Sequence, residues 1–312
     1  MSTPDTQRRD GWSARARDNE VLASLLATPM ALVSVCVVLA MAGAAALAPW
    51  IAPSDPFDPG AVSLIDSLTP PRWVEGGDPR FLLGTDNQGR DLWSAILYGM
   101  RVSLIVGLSG VALAAVVGIG LGLVAGFAGG RIDAVIMRIA DVQLTFPAIL
   151  IALLVDGVVH AMVQDSQRET TAMAVLIVSI GLSFWVQYAR TVRGSTMVEK
   201  NKDYVQAARL MGLSAPAILV RHVLPNVTGP ILVILTINIA LAVITEATLS
   251  FLGVGLPATQ PSLGTLIRIG NDFLFSGEWW IVAFPGATLA VFVLALNLCG
   301  DWLRDALNPK LR

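Results

Sequence analysis

Six stretches of this 312-residue chain run for tens of residues with almost no Asp, Glu, Lys or Arg. They are Val21–Ser54, Val102–Gly130, Val142–Val155 (interrupted by Asp156 and continued weakly to Val163), Thr170–Ala189, Val223–Thr245 and Trp279–Gly300. A helix that crosses a bilayer needs about 20 mostly apolar residues. The chain therefore reads as an all-α membrane protein with six spans. A seventh charge-free stretch, Ala247–Ile267, holds Gly253, Gly255, Pro257 and Pro261. These residues break helices, so it reads as a loop or re-entrant element outside the membrane core.

Composition agrees. Charged residues make up 14% of the chain and mean hydropathy is +0.68, against roughly 25% charged in soluble domains. That excludes a soluble enzyme and a disordered tail protein. A net charge of −2 offers no footprint for nucleic acid. Cys36 and Cys299 both sit in apolar runs and frame no disulfide, and the two histidines, His160 and His222, are far apart, so no metal site is expected. With the N-terminus inside, fifteen of the 21 basic residues fall on inside segments, as the positive-inside rule requires. Both termini then lie in the cytoplasm. The first span resembles a signal peptide, but its apolar core, Met30–Leu47, has 18 residues, longer than a signal core of about 7–15. It reads as an uncleaved anchor.

The organisation expected is a cytoplasmic tail over residues 1–28, a first span over 29–49 and an irregular extracytoplasmic segment over 50–101. A five-helix core over 102–300 and a cytoplasmic tail over 301–312 complete it. In the second span Ala114, Gly118, Gly122, Gly126 and Gly130 recur at four-residue steps. They stack on one helix face and allow close packing, within this chain in preference to a subunit interface.

The polar segment Glu199–Asn226 is the most informative. Asp203 is a candidate cap for a short helix, Tyr204–Met211. Gly212 can adopt the left-handed conformation that ends it. Ser214 can cap a second helix that tolerates Pro216 in its first turn and closes at Pro225. The product is a helix–turn–helix elbow on the cytoplasmic side, with Ala207 and Ala208 presenting a smooth surface to a partner.

Gln206-Ala207-Ala208, Gly212 and Leu224-Pro225 resemble the "EAA" loop of importer permeases of ATP-binding cassette transporters, with Gln206 in place of Glu. Arg221-His222 is similar to the peptide and nickel branch of that family. Further segments agree in order: Leu83-Gly84-Thr85-Asp86 with Gly89-Arg90-Asp91, Tyr98–Leu104, Met137–Asp141 with Phe146-Pro147, Glu246–Gly253, and Gly300–Asp305 with Asn308-Pro309. The resemblance spans about residues 25–312 and points to the second permease of a pair. It implies a type I importer permease architecture and a homologous second permease as partner. It also implies two ATPase subunits, separate or fused, that bind ATP and Mg, and an extracytoplasmic binding protein. The site is the bacterial cytoplasmic membrane and the cargo di- or oligopeptides, with nickel, haem or glutathione as alternatives. Tyr204, Gln206, Ala207, Ala208, Arg209, Gly212, Leu224 and Pro225 would then couple the chain to an ATPase.

The residues alone agree that any ATPase is elsewhere. The lysines are Lys200, Lys202 and Lys310, none preceded by glycine, so there is no P-loop. No His-Glu-x-x-His or Gly-x-Ser-x-Gly occurs. The alternative from another class is an ATP-independent channel or secondary carrier, a reading that lacks a clear set of charged intramembrane residues for ion coupling. Glu246 and Asn238 are the polar candidates for a pathway or a structural tie. Asp156 and His160 read as the polar outer end of span three. Arg90 and Asp91 read as ties between the outer segment and the body, and Trp279-Trp280 as an interfacial belt. The turn at Gly212 generates the first prediction: Gly212→Asp abolishes solute uptake in cells. Normal uptake with normal substrate-stimulated ATP hydrolysis contradicts it.

Overall fold

Hydrocarbon offers no water to backbone amides, so a spanning chain satisfies them inside each helix. The computed structural model, which describes residues 23–58, 60, 62–162, 168–257 and 259–307, follows that rule. Its elements are α1 (Pro29–Ala46), α2 (Ala48–Ile51), α3 (Leu92–Ala128), α4 (Gly130–Leu144), α5 (Ala148–Met162), α6 (Arg168–Glu199), α7 (Asp203–Leu210), α8 (Ala215–Ile218), α9 (Leu224–Phe251), α10 (Leu263–Phe273) and α11 (Trp280–Leu307). Among the described residues the only β pairing is an isolated bridge between Thr85 and Asp91.

Five helical rods are long and apolar enough to cross a membrane: α1, α3, α6, α8–α9 as one piece, and α11. A sixth span exists if α4 and α5 are taken together, but they bend by 96° at Thr145–Pro147. The third span, expected to be one helix from Val142, is therefore broken. Pro147 has no N–H to continue α4 and biases the residue before it away from helix.

The charge-free runs locate the spans but misplace several of their ends. α3 begins at Leu92, ten residues before Val102, so Leu92–Arg101 is helix and not extracytoplasmic loop. α6 continues ten residues past Ala189, and α11 continues to Leu307, into the expected tail. A helix continues past its apolar run where its charges find partners, as Arg190 and Arg193 of α6 do in Asp141 and Asp133. The re-entrant reading of Ala247–Ile267 is also revised. Ala247–Phe251 completes α9, the chain turns at Gly253 and Gly255, both at positive φ, and α10 starts at Leu263. The apolar face of α10 is buried against α3 and α11.

Packing centres on α3 and α6. A Cβ on Gly122 would lie 2.6 Å from the Ala189 carbonyl oxygen, one on Gly126 2.7 Å from Thr196 Cβ, and one on Gly110 2.6 Å from Ile180 Cγ2. Gly118 is still tighter against the Trp185 carbonyl. The small-residue stripe thus serves packing inside this chain, as expected. Gly130 does not belong to it: it stands at φ +54° with nothing near its missing side chain. Asp133 and Arg193, and Asp141 and Arg190, pair across α4 and α6, and Gln143 Nε2 donates to the Leu182 carbonyl at 2.7 Å.

At the other end, the segment that precedes α3 is irregular but pinned. Arg90 and Asp86 are both buried and joined at 2.6 Å, and Asp86 also accepts from the Arg90 and Gln88 amides. Asp91 caps α3 through the Ser94 amide and hydroxyl. Gly84 and Gly89 take positive φ with backbone pressed against them. Trp280 is buried and its Nε1 donates to the Thr85 carbonyl at 3.1 Å. It is a tie, not part of an interfacial belt; only Trp279 is exposed.

Replacing Gly122 by Leu forces α3 from α6. An overpacked core costs about 1–3 kcal/mol, so this variant unfolds at lower temperature in detergent. Gly120→Ala, whose Cβ meets nothing within 4 Å, serves as the unperturbed control in the same thermal scan.

Candidate functional site: the elbow between α6 and α9

α6 ends at Glu199, and the chain reverses through Lys202, whose extended backbone (φ −74°, ψ 152°) forms the N-cap of α7. Asp203, expected to be the cap, is instead the first helical residue, with no side-chain cap bond. Its charge there favours the helix through the macrodipole.

The other end of α7 is a Schellman stop. Gly212 stands at φ +77°; its amide donates to the Arg209 carbonyl, and the Leu213 amide to the Ala208 carbonyl at 3.2 Å. A residue with a side chain pays strain at that φ. The second arm differs from the sequence reading. Ser214 is the N-cap residue of α8 but makes no side-chain cap bond. α8 then runs through a π-helical turn, Leu219–Val223, straight into α9. Pro225 does not close this arm: it follows the π-turn within one continuous helical rod, and the wider winding of that turn accommodates a residue that cannot donate.

The two faces of α7 have opposite characters. Val205 and Ala208 are buried with Ile218, Val223 and Val227 against Leu123 of α3 and Val192 of α6. Leu224 packs partly against this cluster, and Pro225 is exposed. Ala208 therefore faces inward and is no part of a docking surface. The exposed face carries Gln206, Ala207, Leu210 and Met211, the last two 90% and 73% exposed. Sequence reasoning missed Leu210 and Met211. The signal was present, since 206 and 210, and 207 and 211, are four apart and share a face.

Polar contacts lock the elbow to its neighbours. Tyr204 Oη donates to Glu199 Oε2 at 2.6 Å, and Lys202 Nζ to Glu199 Oε1 at 2.6 Å. Burial, followed by the adjacent carboxylate, pushes the Tyr204 phenol up to about 12. Lys200 Nζ donates to the Gly126 carbonyl at 2.7 Å, and the Arg209 guanidinium lies 4.9 Å from the centre of the Phe127 ring.

The remaining candidates lie elsewhere. Gly84, Asp86, Gly89, Arg90 and Asp91 form one knot at the head of α3. Glu246 is fully buried, accepts from Ser250 Oγ at 2.7 Å and is flanked by the Ser103 and Ser262 hydroxyls. It ties α9 to α3 and to the start of α10. Asn238 is buried beside Tyr188 of α6. Asp156 is half-buried on α5, and the side chain of His160 lies outside the described ones.

An inward-facing structure of the MetNI methionine ABC transporter superposes with a TM-score of 0.51, at 18% identity, covering 70% of this chain and 96% of that one. The two share their helical architecture. The di/tripeptide transport system permease protein DppC of Pseudomonas aeruginosa (strain UCBPP-PA14) is 39% identical over 97% of this chain and 92% of its own length. The dipeptide transport system permease protein DppC of Haemophilus influenzae is 39% identical over 90% and 91%. Residues 118–312 match the binding-protein-dependent transport system inner membrane component family, and residues 19–71 the N-terminal TM domain of oligopeptide transport permease C. The chain belongs to this family of ABC transport permeases and is a multi-pass inner-membrane protein.

Tyr204 supplies a pH test. Its folded value lies above the ordinary value of 10.0, so the fold holds this proton more tightly than the unfolded chain. The stabilisation is complete below pH 10 and is lost as pH rises through about 12. Ultraviolet titration of the phenols is expected to show a step near 12 that Tyr204→Phe removes; an unchanged curve in that variant contradicts the assignment.

Proposed function

We propose that this chain is one of two homologous permease subunits of an ATP-driven importer that carries di- and oligopeptides across the bacterial cytoplasmic membrane. Likeness over nearly the whole chain to a permease named for di- and tripeptides carries the choice of cargo and favours peptides over nickel, haem or glutathione. Catalysis of ATP hydrolysis, with its Mg, belongs to separate ATPase subunits, and an extracytoplasmic binding protein delivers the peptide. The basic residues at both ends of the chain and around the elbow support cytoplasmic termini and a cytoplasmic elbow.

In this reading Gln206, Ala207, Leu210 and Met211 seat in a groove of one ATPase subunit. Gly212 sets the turn that presents them, and Tyr204, Arg209 and Leu224 hold the elbow against the spans. The ATPase pair closes on ATP and draws the two elbows together. The spans then pass between inward- and outward-open arrangements, a two-state element biased by nucleotide. An exposed Leu–Met pair on a helix braced from behind supports the docking role, because water offers no compensation for exposing apolar area and a partner surface does.

The reading is tested in cells deleted for this chain. Uptake of radiolabelled dialanine is expected to fall to background and to return with the wild-type gene. Leu210→Asp is expected to restore the protein to the membrane without restoring uptake, and without copurification of an ATPase subunit. Undiminished dialanine uptake in the deletion overturns the choice of cargo, and retained ATPase association in Leu210→Asp overturns the docking face.

A further inference from the structure

The elbow is fastened unequally to the spans on its two sides. On one side it grips the end of α3. That helix finishes at Ala128, so the carbonyls of Gly126 and Phe127 lack helical donors and carry the negative end of the macrodipole. Lys200 donates to the first at 2.7 Å and reaches the second at 3.5 Å. From α7 itself, Arg209 lies over the Phe127 ring, a cation–π contact. Phe127 is thus held at its backbone by the residue after α6 and at its ring by the elbow. Behind it the glycine seam joins α3 to α6 with no room to slide.

On the other side the elbow packs only against the first turns of α9, up to Ile231. There the helix is weak. Pro230 lies inside α9, cannot donate to the Asn226 carbonyl, and follows Gly229, around which there is open space. Proline and glycine are the sites where helices bend.

We infer that the elbow, α3 and α6 form one rigid lever, fastened through the Lys200–Phe127–Arg209 clamp, and that α9 bends against it between a Gly229–Pro230 hinge and the Glu246 tie to α3. Lys200 and Arg209 are then positioning residues for coupling. The lever rests on the reading of the elbow as the part an ATPase drives, and the test separates the two.

Spin labels are placed at Asp203→Cys paired with either Val124→Cys on α3 or Ile237→Cys on α9, all three exposed, after Cys36→Ser and Cys299→Ala. Distances are measured in the transporter purified with its ATPase subunits, nucleotide-free and trapped with ATP. The 203–124 separation is expected to stay constant while the 203–237 separation changes. Lys200→Met or Phe127→Ala is expected to make the 203–124 separation depend on nucleotide and to lower dialanine delivered per ATP by about fivefold or more. Lys200→Arg, which still donates to the carbonyls, is expected to behave as wild type. A 203–124 separation that moves with ATP while the clamp is intact, or clamp variants indistinguishable from wild type, overturns the lever while leaving the driven elbow intact. If neither separation responds to ATP, the lever and the driven elbow fall together.

Discussion

The close approach of α3 and α6 underlies the rest of this structure. Between apolar helices in lipid there is little hydrophobic gain, and adhesion depends on how near the backbones come. Gly110, Gly118, Gly122 and Gly126 remove the atoms that would hold them apart. The other elements attach to this pair: α4 through Asp133–Arg193 and Asp141–Arg190, α9 through its buried face, and the elbow through the cluster around Val205 and Ala208.

The two ends of the bundle use different chemistry. At the end where α3 begins, a buried ion pair, a capping carboxylate and an indole N–H knot residues 84–91 to α3 and α11. A buried pair contributes little net stability, but losing one partner is costly, so such a knot specifies a conformation more than it adds energy. At the elbow end the contacts are half-exposed and mixed with apolar packing. Contacts of this kind suit the docking and movement proposed for the elbow.

Much of this was legible before any coordinates. Spans announce themselves because a charged side chain in hydrocarbon is expensive, and each of the six charge-free runs overlaps a helix. Gly212 announced the end of α7 because few other residues accept its φ. Boundaries were not legible in the same way. Leu92–Arg101 and Arg190–Glu199 fell outside the charge-free runs and so looked like loops, yet Leu92, Ala95, Ile96 and Met100 pack in a core with α10 and α11, and Arg190 and Arg193 pair with Asp141 and Asp133 of α4. The break at Thr145–Pro147 and the continuity of α8 with α9 hinge on whether the winding before a proline widens to accommodate it, and spacing alone did not say where it does.

The sequence by itself determined that the chain is a helical membrane protein, where its spans lie, and that a polar elbow with a glycine stop interrupts them. Periodicity and the price of charge in lipid are local properties, readable residue by residue. Tertiary structure decided which face of the elbow is free: Ala208 turned inward, while Leu210 and Met211 were left exposed. It also decided that Trp280 is an anchor and that Glu246 and Asn238 are enclosed. Each of these depends on which distant helix arrives alongside, and that contact is made across scores of residues by packing rather than by neighbours in the chain.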